Sequence, residues 1–168
     1  TTATAPRLKS KYQAEIRDAL KAELGLANPM QVPKLEKIVV NMGVGKATQQ
    51  PSLLEGAVAD LTKISGQKPV VIKAKKSVSN FKVREGYDTA AMVTLRRDRM
   101  WHFLDRLIHL ATPRIKDFRG LSRKGFDRQG NFSMGLNEQG VFPEINMAEA
   151  QFTHGMNINL TFRNSSKD

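Results

Sequence analysis

The chain has 168 residues, 40% of them apolar, and a formal net charge of +11. That predicts a single domain over 1–168, with apolar side chain enough for a core and no need of a metal or disulfide to fold. Cysteine is absent, which excludes a disulfide scaffold, a thiolate zinc site, an iron–sulfur cluster and a cysteine nucleophile. No run approaches about 18 apolar residues, and TTATAPRLKSKYQAE at the start lacks the apolar stretch of a secretory signal, so the expected setting is the cytoplasm, away from membranes.

Residues 7–24 read as a helix, with Leu8, Tyr12, Ile16, Ala19, Leu20 and Leu24 at helical spacing. Thr4 and Pro6 suit its start and Gly25 its end, after which Asn28 and Pro29 break the chain. KLEKIVVNM at 34–42 reads as a strand, with Ile38, Val40 and Met42 on one face and Lys37, Val39 and Asn41 on the other. Gly43 and Gly45 close it in a turn. A second helix is expected over 52–65, opened by Ser52 and Glu55 at capping-box spacing and stopped by Gly66. Leu54, Val58, Leu61 and either Ile64 or Ser65 trace one side of it. A short strand at 69–72 leads into the loop KAKKSVSNFKVREGY at 73–87.

Residues 89–97 alternate again, Ala91, Val93 and Leu95 against Met92, Thr94 and Arg96. Asp98 is placed to cap a helix whose stripe is Met100, Phe103, Leu104, Leu107, Ile108 and Ala111, ended by Pro113. Residues 113–130 look irregular, basic and punctuated by glycine. Two more strands follow, 131–136 with Phe132, Met134 and Leu136 inward, and 156–163 with Met156, Ile158, Leu160 and Phe162 inward. Each strand has one apolar face. The fold class expected is therefore α+β, an antiparallel or mixed sheet with helices packed on one face and a polar face left free. An open polar sheet face beside cations is a recurrent way to hold RNA.

The charge is concentrated. Residues 61–128 carry a net +11, against +2 before them and −2 after them. Between 61 and 84 stand Lys63, Lys68, Lys73, Lys75, Lys76, Lys82 and Arg84 with no acid, and a second basic stretch holds Arg114, Lys116, Arg119, Arg123, Lys124 and Arg128. A lone Lys-rich run is usually a solvated loop; a whole polarised segment fits a polyanion footprint. Phe81 and Tyr87 lie inside the basic loop, either as a staple beneath it or as platforms for a base.

Other chemistries lack support. GVGKAT at 43–48 fails the phosphate-loop pattern, which would need Gly where Val40 stands and a hydroxyl residue where Ala47 stands. His102 and His109 are seven residues apart on one helix, about 10.5 Å along the axis, too far for one metal. With His154 they read as surface or packing residues, and no metal, cofactor or catalytic residue is expected.

At this level the chain resembles the bacterial type of the ribosomal protein L-five family, the large-subunit proteins that bind 5S rRNA. The likeness is carried by MQVPKLEKIVVNMGVG at 30–45, ADLTKISGQKPVVIKAKKSVSNFKVREGY at 59–87, VTLRRDRMWHFLDRLI at 93–108, PRIKDFRGLS at 113–122 and FDRQGNFSMGLNEQGVFPEI at 126–145. Ile72 departs from the hydroxyl residue common in the family, and the family commonly continues past TFRNSSKD in a further helix, where this sequence stops.

The resemblance implies a non-enzymatic structural role in the large ribosomal subunit, with no small-molecule substrate. It implies that Asn41, Gln67 and Thr94 hydrogen-bond to 5S rRNA, with Lys37, Gly43, Lys68 and Arg96 beside them and adjacent large-subunit rRNA in reach. It implies that the basic loop, through Lys73, Lys75, Lys76, Ser77, Lys82 and above all Arg84, contacts the elbow of the peptidyl-site tRNA. It also implies an intersubunit bridge to a small-subunit head protein, for which the basic stretch 113–124 and the acidic stretch 138–149 are both open. An RNA-modifying enzyme and an RNA chaperone working off the ribosome are the rival readings.

Overall fold

The computed structural model describes residues 5–148, 150 and 152–165. Five strands, β1 Lys34–Gly43, β2 Val70–Lys73, β3 Asp88–Leu95, β4 Phe132–Leu136 and β5 Met156–Arg163, form one antiparallel sheet in the order β2-β3-β1-β5-β4. Side-chain alternation decides its faces. Ile38, Val40 and Met42, Ala91, Val93 and Leu95, and Met156, Ile158 and Leu160 are buried. The residues between them, Val39, Asn41, Met92, Thr94 and Asn159, are half-buried. The one-sided sheet of an α+β fold is thus the observed architecture. β2 and β4 are its edges, and β2 is the barer, with Val70 61% exposed.

By compactness the chain divides into two units. The first comprises Thr1–Ile38, Leu95–Met134 and Asn159–Asp168. Its opening helical segment runs as α1 Arg7–Lys11, a wide π turn Tyr12–Ile16, and α2 Arg17–Glu23. No residue of this segment is buried, which corrects the expected apolar stripe: Leu8, Tyr12 and Leu20 are half-buried, while Ile16, Ala19 and Leu24 are exposed. Thr4, expected at its start, lies outside the described residues, and Pro6 holds the cap position. The segment is held at few points. The Tyr12 ring lies 5.7 Å from that of Trp101, and its hydroxyl donates to the Pro33 carbonyl at 2.7 Å. Arg7 pairs with Asp105 and Lys9 with Asp98, both at 2.7 Å, and such exposed pairs are worth little.

α4 Arg97–Arg106 buries Met100, Trp101 and Phe103, worth about 1.5–3 kcal/mol for each large apolar side chain. Arg96, not Asp98, occupies its cap position, and Arg97 adopts a left-handed φ of 54°. This sharp entry ends β3 at Leu95, two residues short of the predicted end. Asp98 instead sits in the first turn, where its carboxylate suits the helix dipole and accepts from Lys9, which lowers its pKa. A π turn at Leu107–Ala111 follows. The extra residue of such a turn rotates the stripe, so Leu107 and Ala111 stay buried while Ile108 emerges to the surface.

The second unit comprises Val39–Thr94 and Gly135–Ile158. α3 Pro51–Ser65 starts at Gln50, which makes no side-chain cap, so the predicted capping box is not formed. Pro51 at the first helical position supplies the start instead, because its missing N–H would have had no partner there. Leu53, Leu54, Ala57, Leu61 and Ile64 are buried, and Val58 is only half so. Gly66 ends the helix at φ 67°, a left-handed conformation that glycine adopts without steric cost.

Beyond β4 the chain is tied down by a buried glutamine. The Gln139 amide donates to the Phe152 carbonyl at 2.6 Å, lies 3.5 Å from Asp60, and accepts the His154 N–H at 2.7 Å. His154 is 8% exposed. Its burial pushes the imidazole below the ordinary 6.5, with the Asp60 charge opposing. The fold therefore prefers the neutral ring, and the unfolded chain binds the proton more readily. Stability should fall as pH drops below about 6.5. Urea midpoints taken at neutral pH and at about 5.5 should show this fall, and His154→Gln should flatten it.

Candidate nucleic-acid interface

Within the second unit the turn after α3 gathers two of the predicted RNA-facing residues. The Ser65 hydroxyl lies 2.7 Å from the Leu61 carbonyl and accepts the Gln67 N–H at 3.2 Å. With Gly66 in its left-handed turn, this fixes the Gln67 backbone. The Gln67 side-chain amide then donates to the Thr94 carbonyl at 3.4 Å. Asn41 stands on β1, the hydrogen-bonded neighbour of β3 in the sheet. Asn41, Gln67 and Thr94 are each half-buried. Gly43 and Lys68 are exposed in the same unit, while Lys37, half-buried, and Arg96, exposed, fall in the first unit. The open face is mixed rather than purely polar, since Val39 and Met92 share its half-buried positions.

The basic loop is a braced hairpin. At its base the Ala74 N–H donates to Tyr87 O at 2.8 Å and the Gly86 N–H to Ala74 O at 3.0 Å. Higher up, the Glu85 N–H donates to the Ser77 hydroxyl at 2.9 Å. Val78 and Val83 exchange N–H donors at 2.9 and 3.2 Å, and the Lys82 N–H closes the tip on Ser79 O at 3.0 Å. Ser79–Phe81 form a single tight turn, and Lys82 takes a left-handed φ of 53°. Lys73, Lys75, Lys76, Ser77, Lys82 and Arg84 are all exposed, and none of the cations forms an ion pair among the described residues. Phe81 is 74% exposed, which removes the staple reading for it.

The second basic stretch in the first unit is irregular. Arg123 and Lys124 ride a short turn, Arg123–Gly125, opened by Ser122, whose hydroxyl accepts the Lys124 N–H at 3.3 Å. Asp127 accepts the Gln129 and Asn131 N–H groups at 2.9 and 2.8 Å, and hydrogen bonds from Asn131 lower its pKa. Phe126 packs its ring 4.9 Å from Phe132. An apolar hollow of 240 Å³ beside it is lined by residues such as Leu104, Leu107, Phe132, Leu160 and Phe162. It brings no cluster of titratable groups together for a reaction. Among the described residues no group of three His, Asp or Glu side chains is placed to hold a metal, and no helix is long and apolar enough to cross a membrane.

Sequence reasoning missed two features. The buried Gln139 is one, since nothing in NEQG distinguishes it from a surface amide. The left-handed Arg97 is the other, and no glycine marks it.

A one-sided sheet, a polar cluster beside β3 and a braced cation-rich hairpin define a basic α+β protein. Residues 28–84 match the family model described as ribosomal protein L5, and residues 88–168 match the model for the C-terminus of the same ribosomal family. The chain is 53% identical to the large ribosomal subunit protein uL5 of Anaeromyxobacter sp. (strain Fw109-5), over 97% of this chain and 92% of that protein. It is 57% identical to uL5 of Psychrobacter cryohalolentis over 92% and 87%, and 56% identical to that of Streptomyces coelicolor over 95% and 86%. The chain belongs to the ribosomal protein L5 family. It is a structural constituent of the large ribosomal subunit, an RNA-binding ribonucleoprotein component of translation and not an enzyme, and the bacterial ribosome is cytoplasmic.

One close approach in the basic stretch is directly testable. A Cβ added to Gly125 would stand 2.7 Å from both the Phe132 ring and the Ser133 carbonyl. Because one of these is backbone, relief requires the turn to move. Gly125→Ala should destabilise the protein by about 1–3 kcal/mol, read as a lowered denaturant midpoint with unchanged slope.

Proposed function

We propose that this protein anchors 5S rRNA through Asn41, Gln67 and Thr94 and meets the peptidyl-site tRNA through the hairpin at 73–87. The observation that carries the reading is the Gln67 amide resting on the Thr94 carbonyl, with Asn41 on the adjoining strand. Three residues far apart in sequence thereby offer donors and acceptors from neighbouring elements. Gly43 and Lys68 extend this surface, with Lys37 and Arg96 supplying further cations toward 5S and adjacent large-subunit rRNA. Charge gives affinity without selectivity, whereas the amides and hydroxyl supply selectivity.

The hairpin supports the second contact by its chemistry. Lys73, Lys75, Lys76, Lys82 and Arg84 project free cations from a braced support, as phosphate contacts require. For the bridge to a small-subunit head protein, the stretch 113–124 fits better than 138–149, because Phe118 and Leu121 are exposed there among cations and such mixed surfaces suit protein partners.

Asn41→Ala and Thr94→Ala should each weaken 5S rRNA binding by about 1–3 kcal/mol, with the salt dependence unchanged. A filter-binding titration across a salt series checks this, and wild-type affinity in both variants refutes the assignment. The triple variant Lys75→Ala/Lys76→Ala/Arg84→Ala should keep 5S rRNA affinity yet weaken tRNA at the peptidyl site of reconstituted ribosomes. If it loses 5S rRNA instead, the two contacts have been exchanged.

A further inference from the structure

Phe81 is an anomaly that the charge reading does not absorb. It is an aromatic ring 74% exposed at the tip of a hairpin whose other exposed side chains are mostly polar or charged. Val78, which leads into the turn at the tip, is 41% exposed. A phenylalanine held in water forfeits the stabilisation its burial would bring. The tip is also conformationally fixed. The reciprocal Val78 and Val83 hydrogen bonds and the Lys82 turn bond define its backbone, and Lys82 is held in the left-handed region. A ring presented on a fixed support loses little freedom when it binds.

The surroundings specify the occupant. From 61 to 84 the chain holds seven cations and no acid, so an acidic polymer is favoured over a neutral apolar peptide. Among polyanions, a nucleic acid with an unpaired base also offers a flat π-face to an aromatic ring. We propose that Phe81 stacks on an unpaired base of the RNA that the hairpin meets, while Lys75, Lys76 and Arg84 hold the flanking phosphates. This rests on the reading of the hairpin as the tRNA contact, and it assigns the tip a base-recognising group beside its cations.

The test uses large subunits reconstituted with each variant and deacylated tRNA titrated into the peptidyl site over a potassium chloride series. Phe81→Ala should lower tRNA affinity about tenfold, within the range of base–aromatic stacking, and should leave the salt slope unaltered because no phosphate contact is lost. Phe81→Trp should retain wild-type affinity, and Phe81→Leu, which keeps apolar bulk without a π-face, should resemble Phe81→Ala. Since the side chain is exposed, all variants should keep the wild-type circular dichroism and 5S rRNA affinity.

The outcomes separate the two layers. If the triple cation variant weakens tRNA but Phe81→Ala does not, stacking is overturned and the hairpin contact stands. If neither variant changes tRNA affinity, both readings fall. Wild-type affinity in Phe81→Leu would show apolar packing, as against a protein partner, and would overturn stacking.

Discussion

The structure depends on the period-two alternation of β1, β3 and β5. Ile38, Val40 and Met42, Ala91, Val93 and Leu95, and Met156, Ile158 and Leu160 are the buried alternate residues of these strands, and removing that apolar area from water is the dominant favourable contribution to folding. A one-residue slip in any strand would exchange its faces. The same alternation that places Val93 and Leu95 in the core leaves Thr94 at the opposite surface, and the core residues Val40 and Met42 do the same for Asn41. The proposed binding surface is in this sense the reverse side of the core, and it cannot drift without cost to packing.

What holds the remaining candidate residues is different in kind. Gln67 is fixed by a left-handed glycine and a serine hydroxyl rather than by burial. The hairpin at 73–87 is fixed by backbone hydrogen bonds at its base, middle and tip. These supports are local and come from the chain's own backbone and side chains. The first unit shows the contrast. Its opening helical segment, with no buried residue, relies on Tyr12 and two exposed ion pairs, and lies at the low-stability end of the molecule.

The strands were legible from sequence because alternation is a strong and local signal. β5 appears over the residues expected, and β1 differs only by the inclusion of Gly43. Helix ends were less legible, because capping depends on backbone geometry that competing residues share. Ser52 and Asp98 both have good capping chemistry, yet Pro51 and the left-handed Arg97 set the actual entries one or more residues earlier. The helical stripes failed where π turns intervened, as at Ile16 and Ile108, since an inserted residue breaks a period that assumes 3.6 residues per turn. Of the site, the exposed cations and the open-face positions of Asn41 and Thr94 could be read from charge and alternation. The adjacency of Gln67 to Thr94 could not, because it arises from a turn and a sheet closing together across 27 positions of chain.

β2 has a consequence for the protein before it reaches its assembly. A sheet edge carries unpaired backbone groups, and here it also exposes Val70 and Val71. Such an edge is a template for another copy of itself. Lys68 precedes the strand and Lys73 ends it, so edge-to-edge pairing of two copies would crowd four ammonium groups around a four-residue ladder. Cations flanking an edge strand in this way oppose its edge-to-edge pairing with another copy.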